Sequence, residues 1–209
     1  TDLGIPLRLT SDINQTSTRS SAEQTYQQII ADLQQASTLL ALNPLYKTRP
    51  SKPAAYGMLA RTFLSMQDYT NAKLYADSCL QLFNTLIDYN TLDSNAYNPV
   101  PMFNDEVIFH CGMFPRSIVL QPAAMVDTAL TASYANDDLR KPVFFKPLDV
   151  NTYGFYGSYS GSYILFNGIA TDEIYLIRSE CKVRINQVNE AMQDLNTVLI
   201  KRFKAATFI

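Results

Sequence analysis

The sequence of 209 residues has no tryptophan, a single histidine and few charged residues, since Asp, Glu, Lys and Arg make up only 17% of it. Its formal net charge is −2, and the basic residues are scattered apart from Lys201, Arg202 and Lys204. Nucleic acid binding requires a concentrated positive surface, so nucleic acid is not an expected partner. The sequence also lacks a run of about eighteen or more apolar residues, which argues against a membrane-spanning helix.

Cysteine and histidine are too few and too far apart for a structural metal site. Cys79, Cys111 and Cys181 form no CxxC pair, and His110 is the only histidine. Such a set cannot supply the four ligands of a structural zinc ion. We therefore predict no metal and no cofactor, and we expect each cysteine to be a small buried hydrophobic residue.

Signatures of catalysis are missing as well. The sequence contains no GxSxG, GxGxxG or phosphate-binding loop. Its carboxylate pairs, at 105–106, 137–138 and 172–173, are sequence neighbours, for which we expect helix-capping or solvated surface roles. His110 follows an apolar run, which favours a structural histidine. We predict a protein without catalytic residues.

What is present is mostly helical periodicity. Ser20 and Glu23 match a capping box that begins a first amphipathic helix, which ends before Pro44. Ser51 can cap a second helix, and a third restarts at Thr70. Small residues, Ala60 and Ala72, stand where these two helices would cross.

Residues 51–84 have the spacing of a tetratricopeptide repeat, a helix pair of about 34 residues. Several of its signature positions are matched, at Tyr56, Leu59, Ala60, Phe63 and Ala72. An ordinary helical hairpin is the alternative. Residues 172–203 predict a second hairpin, in which Ser179 and Ala191 have the same separation as Ala60 and Ala72.

Residues 84–170 differ from both hairpins, because long loops rich in Asn, Asp and Pro surround a short predicted strand at 107–109. A further helix is predicted at 123–134. In the tract 151–166, NTYGFYGSYSGSYILF, aromatic residues alternate with glycine and serine. We predict that this tract forms a short hairpin leading into the helix that follows.

The order of these motifs resembles the SusD/RagB family of outer-membrane nutrient-binding lipoproteins. The resemblance rests on GIPLR, SAEQTYQQIIADLQQASTLL, RPSKPAAYGMLARTFLSMQDYTNAKLYADSCL, DYN, NDEVIF, DDLR and TDEIYLIRSECKVRINQVNEAMQDLNTVLIKR. It implies a mainly α fold, with tetratricopeptide-like helical hairpins forming a scaffold, long loops and a few short strands. It also implies one SusD-like domain over residues 1–209, expected to be either the central portion of a longer member or a member shortened at both ends.

The resemblance further implies a function. Family members are non-catalytic, carry an N-terminal lipid that this sequence lacks, and lie at the surface of the outer membrane. They act with a SusC-type TonB-dependent transporter and bind oligosaccharides or, in some branches, peptides. We therefore expect a nutrient-binding subunit, with a glycan favoured as its ligand.

A sugar ring stacks on an aromatic side chain, and its hydroxyl groups bond to planar polar groups. With no tryptophan in the sequence, tyrosine and phenylalanine in the loops must supply the stacking surface. The expected glycan-binding residues are Tyr97, Phe114, Arg116, Tyr153 and Tyr156. The alternative for each of them is simple packing over the helical frame.

A second hypothesis for the whole chain is a repeat-helix scaffold whose only ligand is another protein. Such an adaptor would present its concave helix faces, whereas a nutrient-binding protein would use the loops of residues 84–170.

Overall fold

The computed structural model describes residues 2–114 and 124–208. The α-helices are α1 (Ala22–Leu39), α2 (Lys52–Ser65), α3 (Tyr69–Leu82), α4 (Thr128–Ser133), α5 (Arg140–Phe144), α6 (Thr171–Arg184) and α7 (Val188–Leu199). The strands are short: β1 (Val107–Phe109), β2 (Phe145–Asp149), β3 (Thr152–Phe155) and β4 (Ile169–Ala170). The predicted mainly α fold is confirmed.

The long helices pack in succession, α1 on α2, α2 on α3, α3 on α6 and α6 on α7. The two predicted hairpins, α2–α3 and α6–α7, therefore become adjacent although the chain between them is long. Their shared core contains Leu59, Phe63, Ile174 and Ile177, all buried. This row of helices is the scaffold against which the loop-rich middle of the chain packs.

Local capping explains where the first three helices begin, and it corrects two predictions. Ser21, not Ser20, is the N-cap of α1, and it forms a capping box with Gln24 instead of Glu23. Ser51 caps α2 as predicted, because its hydroxyl accepts the backbone N–H of Ala54 at 3.2 Å. The N-cap of α3 is Asp68, not Thr70.

Both hairpins turn in the same way. Gln67 lies between α2 and α3 with φ of 61°, and Asn186 lies between α6 and α7 with the same φ of 61°. A left-handed residue at this point ends one helix and lets the chain reverse. Two segments of different sequence therefore use one turn geometry, as the equal spacing of their small residues predicted.

Ala60 and Ala72 are both fully buried in the crossing of α2 and α3. We expect Ala72→Leu to lower the free energy of unfolding by about 1–3 kcal/mol, since extra methylene groups overpack such a site. Ala31→Leu on the exposed face of α1 is the matched control, with an expected change within about 0.5 kcal/mol. Urea unfolding measures both, and equal stabilities of the two variants would contradict the close crossing.

The middle of the chain contributes two small antiparallel sheets. β1 pairs with β4, with Val107 opposite Ala170. β2 pairs with β3, with Phe145 opposite Phe155. A second core forms here around Tyr89, Val100 and Val143. The predicted strand at 107–109 is thus confirmed, whereas the predicted helix at 123–134 is shorter and begins at Thr128.

The tract 151–166 is only partly a hairpin. Its first residues form β3, whose partner β2 lies upstream of the tract, and the rest has no regular structure. That second part is nevertheless largely buried: Ser158 donates to the carbonyl of Ile164 at 2.7 Å and accepts the N–H of Phe166 at 3.0 Å. A Cβ at Gly157 would overlap the ring of Phe144. The small residues therefore let the backbone pass directly under aromatic side chains.

A buried ionic cluster joins this region to the helices, and we call it the Glu106 cluster: Tyr89, Glu106, Tyr159, Asp172 and Arg202. Glu106 is fully buried, and its carboxylate accepts Nη2 of Arg202 at 2.5 Å. It also accepts the hydroxyl of Tyr159 and the backbone N–H of Ile87. The guanidinium carbon of Arg202 lies 4.1 Å from the ring centroid of Tyr89.

The predicted helix-capping or solvated surface role is therefore wrong for Glu106, whereas Asp138 is buried but accepts the backbone N–H of Arg140, the first residue of α5, at 3.0 Å. Glu106 lies in the buried cluster, and Asp138, only 4% exposed, forms an ion pair with Arg140 at 2.5 Å. Buried carboxylates require partners because desolvation of an isolated charge is costly. In both cases an arginine close in space supplies the partner.

Two of the three cysteines are buried as predicted. Cys79 and Cys181 are fully buried, and burial raises the pKa of their thiols, to about 12 and about 11. Cys111 is only partly buried, so the prediction was wrong for that residue. All three are free thiols.

Candidate functional site

Two of the predicted binding residues meet at the surface. The ring centroids of Tyr97 and Tyr156 lie 5.0 Å apart, with their planes at 80°. This edge-to-face arrangement is a favourable one for aromatic rings. Tyr97 is 68% exposed and Tyr156 is partly buried, so the pair offers ring surface to solvent.

Backbone contacts fix both members of the Tyr97–Tyr156 pair. The N–H of Tyr156 donates to the carbonyl of Phe144 at 2.7 Å, which holds Tyr156 against the end of α5. Tyr97 follows a turn in which Ala96 donates to the carbonyl of Asp93 at 3.1 Å. The ammonium group of Lys146, on β2, donates to the carbonyl of Ser94 in this turn. The turn is thereby attached to the strand pair that leads to Tyr156.

The hydroxyl group of Tyr156 stays protonated at neutral pH. Partial burial, and next the proximity of Tyr97, raise the pKa of Tyr156 above its ordinary value of 10. The pair therefore combines apolar ring faces with neutral hydroxyl groups that can donate and accept hydrogen bonds.

Tyr153 lies elsewhere. It is on β3, and its backbone carbonyl accepts the N–H of Val126 at 2.8 Å. Its side chain lines a cavity of about 500 Å³ together with Thr131, Lys141 and Asn151. Tyr156, by contrast, lies just beyond the end of β3 and does not line this cavity.

The two remaining predicted residues lie near position 115. Phe114 is 77% exposed. Arg116 lies outside the described residues. Of the predicted site, the structure thus brings Tyr97 and Tyr156 together, places Tyr153 in a different cavity and leaves Phe114 on the surface.

A cleft of about 430 Å³ was not predicted. Four rings line it, those of Phe144, Phe155, Tyr159 and Phe166, and we call it the aromatic cleft. Charged residues from α2 and α6 lie at its edge: Arg61, Asp172 and Glu173. No local pattern could have indicated this cleft, because its walls come from positions more than a hundred residues apart.

The guanidinium group of Arg61 binds Glu173 through two hydrogen bonds of 2.6 Å each. It also donates to the carbonyl of Gly168 at 2.6 Å. The hydrogen bonds to Glu173 raise the pKa of Arg61. This bidentate pair fixes α2 to the start of α6 at the edge of the aromatic cleft.

His110 lies between rings, not in a catalytic arrangement. Its ring centroid is 4.7 Å from that of Phe103 and 5.8 Å from that of Phe166. Its Nδ1 is buried and has no hydrogen-bond partner among the described residues. Burial lowers the pKa of His110 below its ordinary value of 6.5. The structure agrees with the structural role predicted for this residue.

Since its folded-state pKa is lowered, neutral His110 stabilises the fold above about pH 6.5, and this contribution is lost as the pH falls through the folded-state pKa. We expect His110→Phe to abolish that part of the pH dependence. Urea unfolding of both proteins between pH 5 and 8 measures it. His110 is the only histidine in the sequence. The difference in unfolding free energy between parent and variant therefore reports the titration of this group alone. If this difference in unfolding free energy does not change with pH, the lowered pKa of His110 is contradicted.

Within residues 2–114 and 124–208, no group of three or more His, Cys, Asp or Glu side chains could hold a metal ion. No helix in these two ranges is both long and apolar enough to cross a bilayer.

Residues 3–64 match the model of a SusD-like family, described as starch-binding and associating with the outer membrane. No curated protein matches the chain. Solved structures match in fold. They include a SusD superfamily protein of Bacteroides thetaiotaomicron (19% identity, TM-score 0.75, covering 97% of this chain and 52% of that one).

A SusD-like carbohydrate-binding protein of Bacteroides vulgatus also matches (20% identity, TM-score 0.74, 100% of this chain and 50% of that one). A third structure, solved with a xylogluco-oligosaccharide, matches at 17% identity and a TM-score of 0.58, over 90% of this chain and 54% of that one. The chain spans about half the length of these structures. Residues 3–64 thus match a SusD-like family model, and the chain as a whole is similar in fold to solved SusD-like proteins.

Proposed function

We propose that this chain is a non-catalytic glycan-binding protein that takes up neutral oligosaccharides at the Tyr97–Tyr156 pair. The observation that carries the proposal is the pair itself, two rings 5.0 Å apart, one of them 68% exposed. A pyranose ring has an apolar face that packs on such a surface, while its hydroxyl groups bond to the tyrosine hydroxyls.

The surroundings of the pair also support binding. A binding surface gains affinity when its groups are already held in place before the ligand arrives. The N–H of Tyr156 and the ammonium group of Lys146 fix the two segments to the frame of α5, β2 and β3. The other expected contacts are separate from this centre in the structure or lie outside its described part: Tyr153 lines a different cavity, Phe114 is exposed, and Arg116 is not among the described residues.

The comparisons favour the same ligand class. The family description names starch, one structural neighbour is named as carbohydrate-binding, and another was solved with a xylogluco-oligosaccharide. These names concern those proteins, and they select glucan oligosaccharides as the first ligands to test here. A peptide is the alternative ligand.

We infer a location and a partner from the same resemblance. The chain would lie at the surface of the outer membrane, attached through a lipid anchor, and deliver its ligand to a SusC-type TonB-dependent transporter. The family description, which includes association with the outer membrane, supports this proposal.

Several carboxylates form ion pairs with arginines, which favours a binding protein over a catalytic one. A glycoside hydrolase needs two carboxyl groups that face the scissile bond. Here Glu106, Asp138 and Glu173 are each paired with an arginine, at 2.5 to 2.6 Å. Carboxylates held in this way serve the fold.

Titration calorimetry tests the proposal. We expect malto-oligosaccharides or xyloglucan oligosaccharides to bind with an affinity that changes little between 50 and 500 mM salt, roughly the range over which charge interactions become strongly screened. We also expect each oligosaccharide to be recovered uncleaved. Failure of every neutral oligosaccharide to bind, or a steep salt dependence, would count against a neutral glycan.

A further inference from the structure

The cavity at Tyr153 differs in chemistry from the Tyr97–Tyr156 pair, and we call it the Tyr153 cavity. Its volume of about 500 Å³ lies within the range of about 300–1,000 Å³ that is usual for small-molecule sites. Its polar lining residues come from α4, α5, β3 and the turn before β3: Thr128, Thr131, Lys141, Asn151 and Tyr153. Separate parts of the loop-rich middle thus meet at one polar cavity.

Hydrogen-bonded backbone positions this lining. The N–H of Val126, just before α4, donates to the carbonyl of Tyr153 at 2.8 Å, which attaches the start of α4 to β3. Asn151 lies in the two-residue turn between β2 and β3 and has a φ of 57°, a left-handed conformation that asparagine adopts more readily than most residues. The backbone around the cavity is therefore held in place before any ligand arrives.

Most polar side chains of the Tyr153 cavity have no partner in the described part of the protein. Thr131 is the exception, since its hydroxyl donates to the carbonyl of Thr128 at 3.0 Å. Among the described residues, nothing bonds to the hydroxyls of Thr128 and Tyr153, to the amide of Asn151 or to the ammonium group of Lys141. These four groups can therefore bond to a ligand without breaking a bond within the described fold.

The cavity presents a positive charge. Among the described residues that line it, only Lys141 is charged. Asp138, three positions earlier, pairs instead with Arg140 at 2.5 Å, and no described carboxylate forms an ion pair with Lys141. The rest of the chain, 115–123 and the two terminal residues, contains no Asp or Glu. A partly buried ammonium group without a carboxylate partner attracts an anion.

A sugar that carries a carboxylate uses all of these groups. The apolar face of its ring packs on an aromatic side chain such as that of Tyr153. Its hydroxyl groups bond to an amide and a hydroxyl, which Asn151 and Thr128 supply, and its carboxylate pairs with Lys141. A neutral sugar would leave the ammonium group without a counter-charge, and a small inorganic anion would leave the ring and the amide unused.

We propose that the Tyr153 cavity binds a uronic acid residue of an acidic oligosaccharide. The proposal rests on the glycan-binding function proposed above for its ligand class. It adds a second place of contact, apart from the Tyr97–Tyr156 pair, and a charged class of sugar to the neutral one.

NMR titration with D-glucuronate, D-glucose and acetate tests the proposal. Glucuronate and glucose share a pyranose ring and differ by one carboxylate, and acetate supplies a carboxylate without a ring. We expect glucuronate to bind the parent roughly tenfold more tightly than either of the other two, because only glucuronate makes both kinds of contact.

Lys141→Met and its matched control Lys52→Met locate the carboxylate. Lys52, the first residue of α2, is also partly buried but does not line the cavity, so its substitution changes the net charge equally at another place. We expect glucuronate to bind the parent and Lys52→Met alike, and Lys141→Met roughly tenfold more weakly. Equal glucuronate affinity in the two variants overturns the proposal.

Tyr153→Ala is a further variant that keeps the charge and removes the ring, and it should also weaken glucuronate binding. Circular dichroism and urea unfolding establish that each variant is folded. If Lys141→Met does not fold, the three probes on the parent and on Tyr153→Ala decide alone. The proposal is overturned if the parent does not bind glucuronate, or binds glucose or acetate as tightly.

Tyr156→Ala separates this proposal from the proposed neutral-glycan surface. This variant should weaken the binding of neutral oligosaccharides and leave the affinity for glucuronate unchanged. If neutral oligosaccharides fail to bind while glucuronate still depends on Lys141, the Tyr97–Tyr156 pair is rejected and the cavity is supported. If glucuronate binding is lost in Tyr156→Ala but not in Lys141→Met, the acidic sugar binds at the pair and the cavity is rejected.

Discussion

Arg202→Met should lower the free energy of unfolding by about 3–5 kcal/mol, because it leaves Glu106 buried without its cation. Glu106 is fully buried, Arg202 is 2% exposed, and 2.5 Å separates their bonded atoms. Methionine keeps an unbranched aliphatic side chain but removes the guanidinium group, so the loss reports the ion pair together with the contact between this group and the ring of Tyr89. Urea unfolding at pH 8 measures the effect.

Lys201→Met is the matched control for Arg202→Met. Lys201 precedes Arg202, and its ion pair with Asp88, at 3.3 Å, is partly exposed, with side chains 42% and 34% accessible to solvent. Ion pairs that solvent reaches contribute about 1 kcal/mol or less to stability. The free energy of unfolding of this variant should therefore be close to that of the parent. Similar losses in the two variants would show that the Glu106 cluster does not stabilise the fold as described.

The pH dependence of the Arg202→Met penalty has a definite sign. Burial already raises the pKa of Glu106 from 4.5 to about 7, and loss of the cation raises it further. Stability tied to a raised carboxyl pKa is present below pH 4.5 and is lost as the pH rises through the folded-state value. The difference between Arg202→Met and the parent should therefore be larger at pH 8 than at pH 5.

Replacing either Tyr97 or Tyr156 with alanine should weaken oligosaccharide binding by about thirtyfold. Truncation of an aromatic anchor at a binding site commonly costs about 2 kcal/mol or more, which corresponds to that factor. The two rings contact each other, so the double variant should lose less than the sum of the two single losses. Calorimetry with the tightest-binding oligosaccharide of the panel measures all three.

Tyr163→Ala is the control for this experiment. Tyr163 is 62% exposed and lies in the tract 151–166, but not in the pair. Its loss should leave binding unchanged, and Tyr153→Ala, in the separate cavity, should have a smaller effect than Tyr156→Ala. Retained sugar binding in both Tyr97→Ala and Tyr156→Ala would exclude the pair as the site.

The alternative hypothesis, a protein-binding scaffold, predicts the opposite result. All these tyrosine variants would then bind the partner protein as the parent does, and substitutions on the helix faces would weaken that binding.

The helices could be predicted because their signals are local. Apolar residues three and four positions apart mark α2, α3, α6 and α7, and Ser51 marks a helix start. The starts of α1 and α3 were misplaced by one or two residues because serine, aspartate and threonine near each start compete for the same capping role. The equal spacing of Ala60 with Ala72 and of Ser179 with Ala191 was enough to predict two similar hairpins.

The polar interior could not be predicted in the same way. Glu106 reads as a surface residue beside Asp105, and its burial depends on Arg202, 96 positions later. Arg61 and Glu173 are 112 positions apart. Such partners come together only through the packing of the hairpins, so a single sequence gives no sign of them. For the candidate site, residue type was sufficient to propose Tyr97 and Tyr156, whereas their contact across the loops required the fold.

The span between Glu106 and Arg202 also affects how the protein acquires its structure. Contacts between distant residues form late, because a long loop must close before they contribute. During synthesis, residues 52–82 can pair as a hairpin while Glu106 still awaits an arginine that the ribosome has not yet added. The loop-rich middle, which carries the proposed glycan surface, is therefore the last part to mature. A chain interrupted before residue 202 would have native-like early helices without a finished Glu106 cluster.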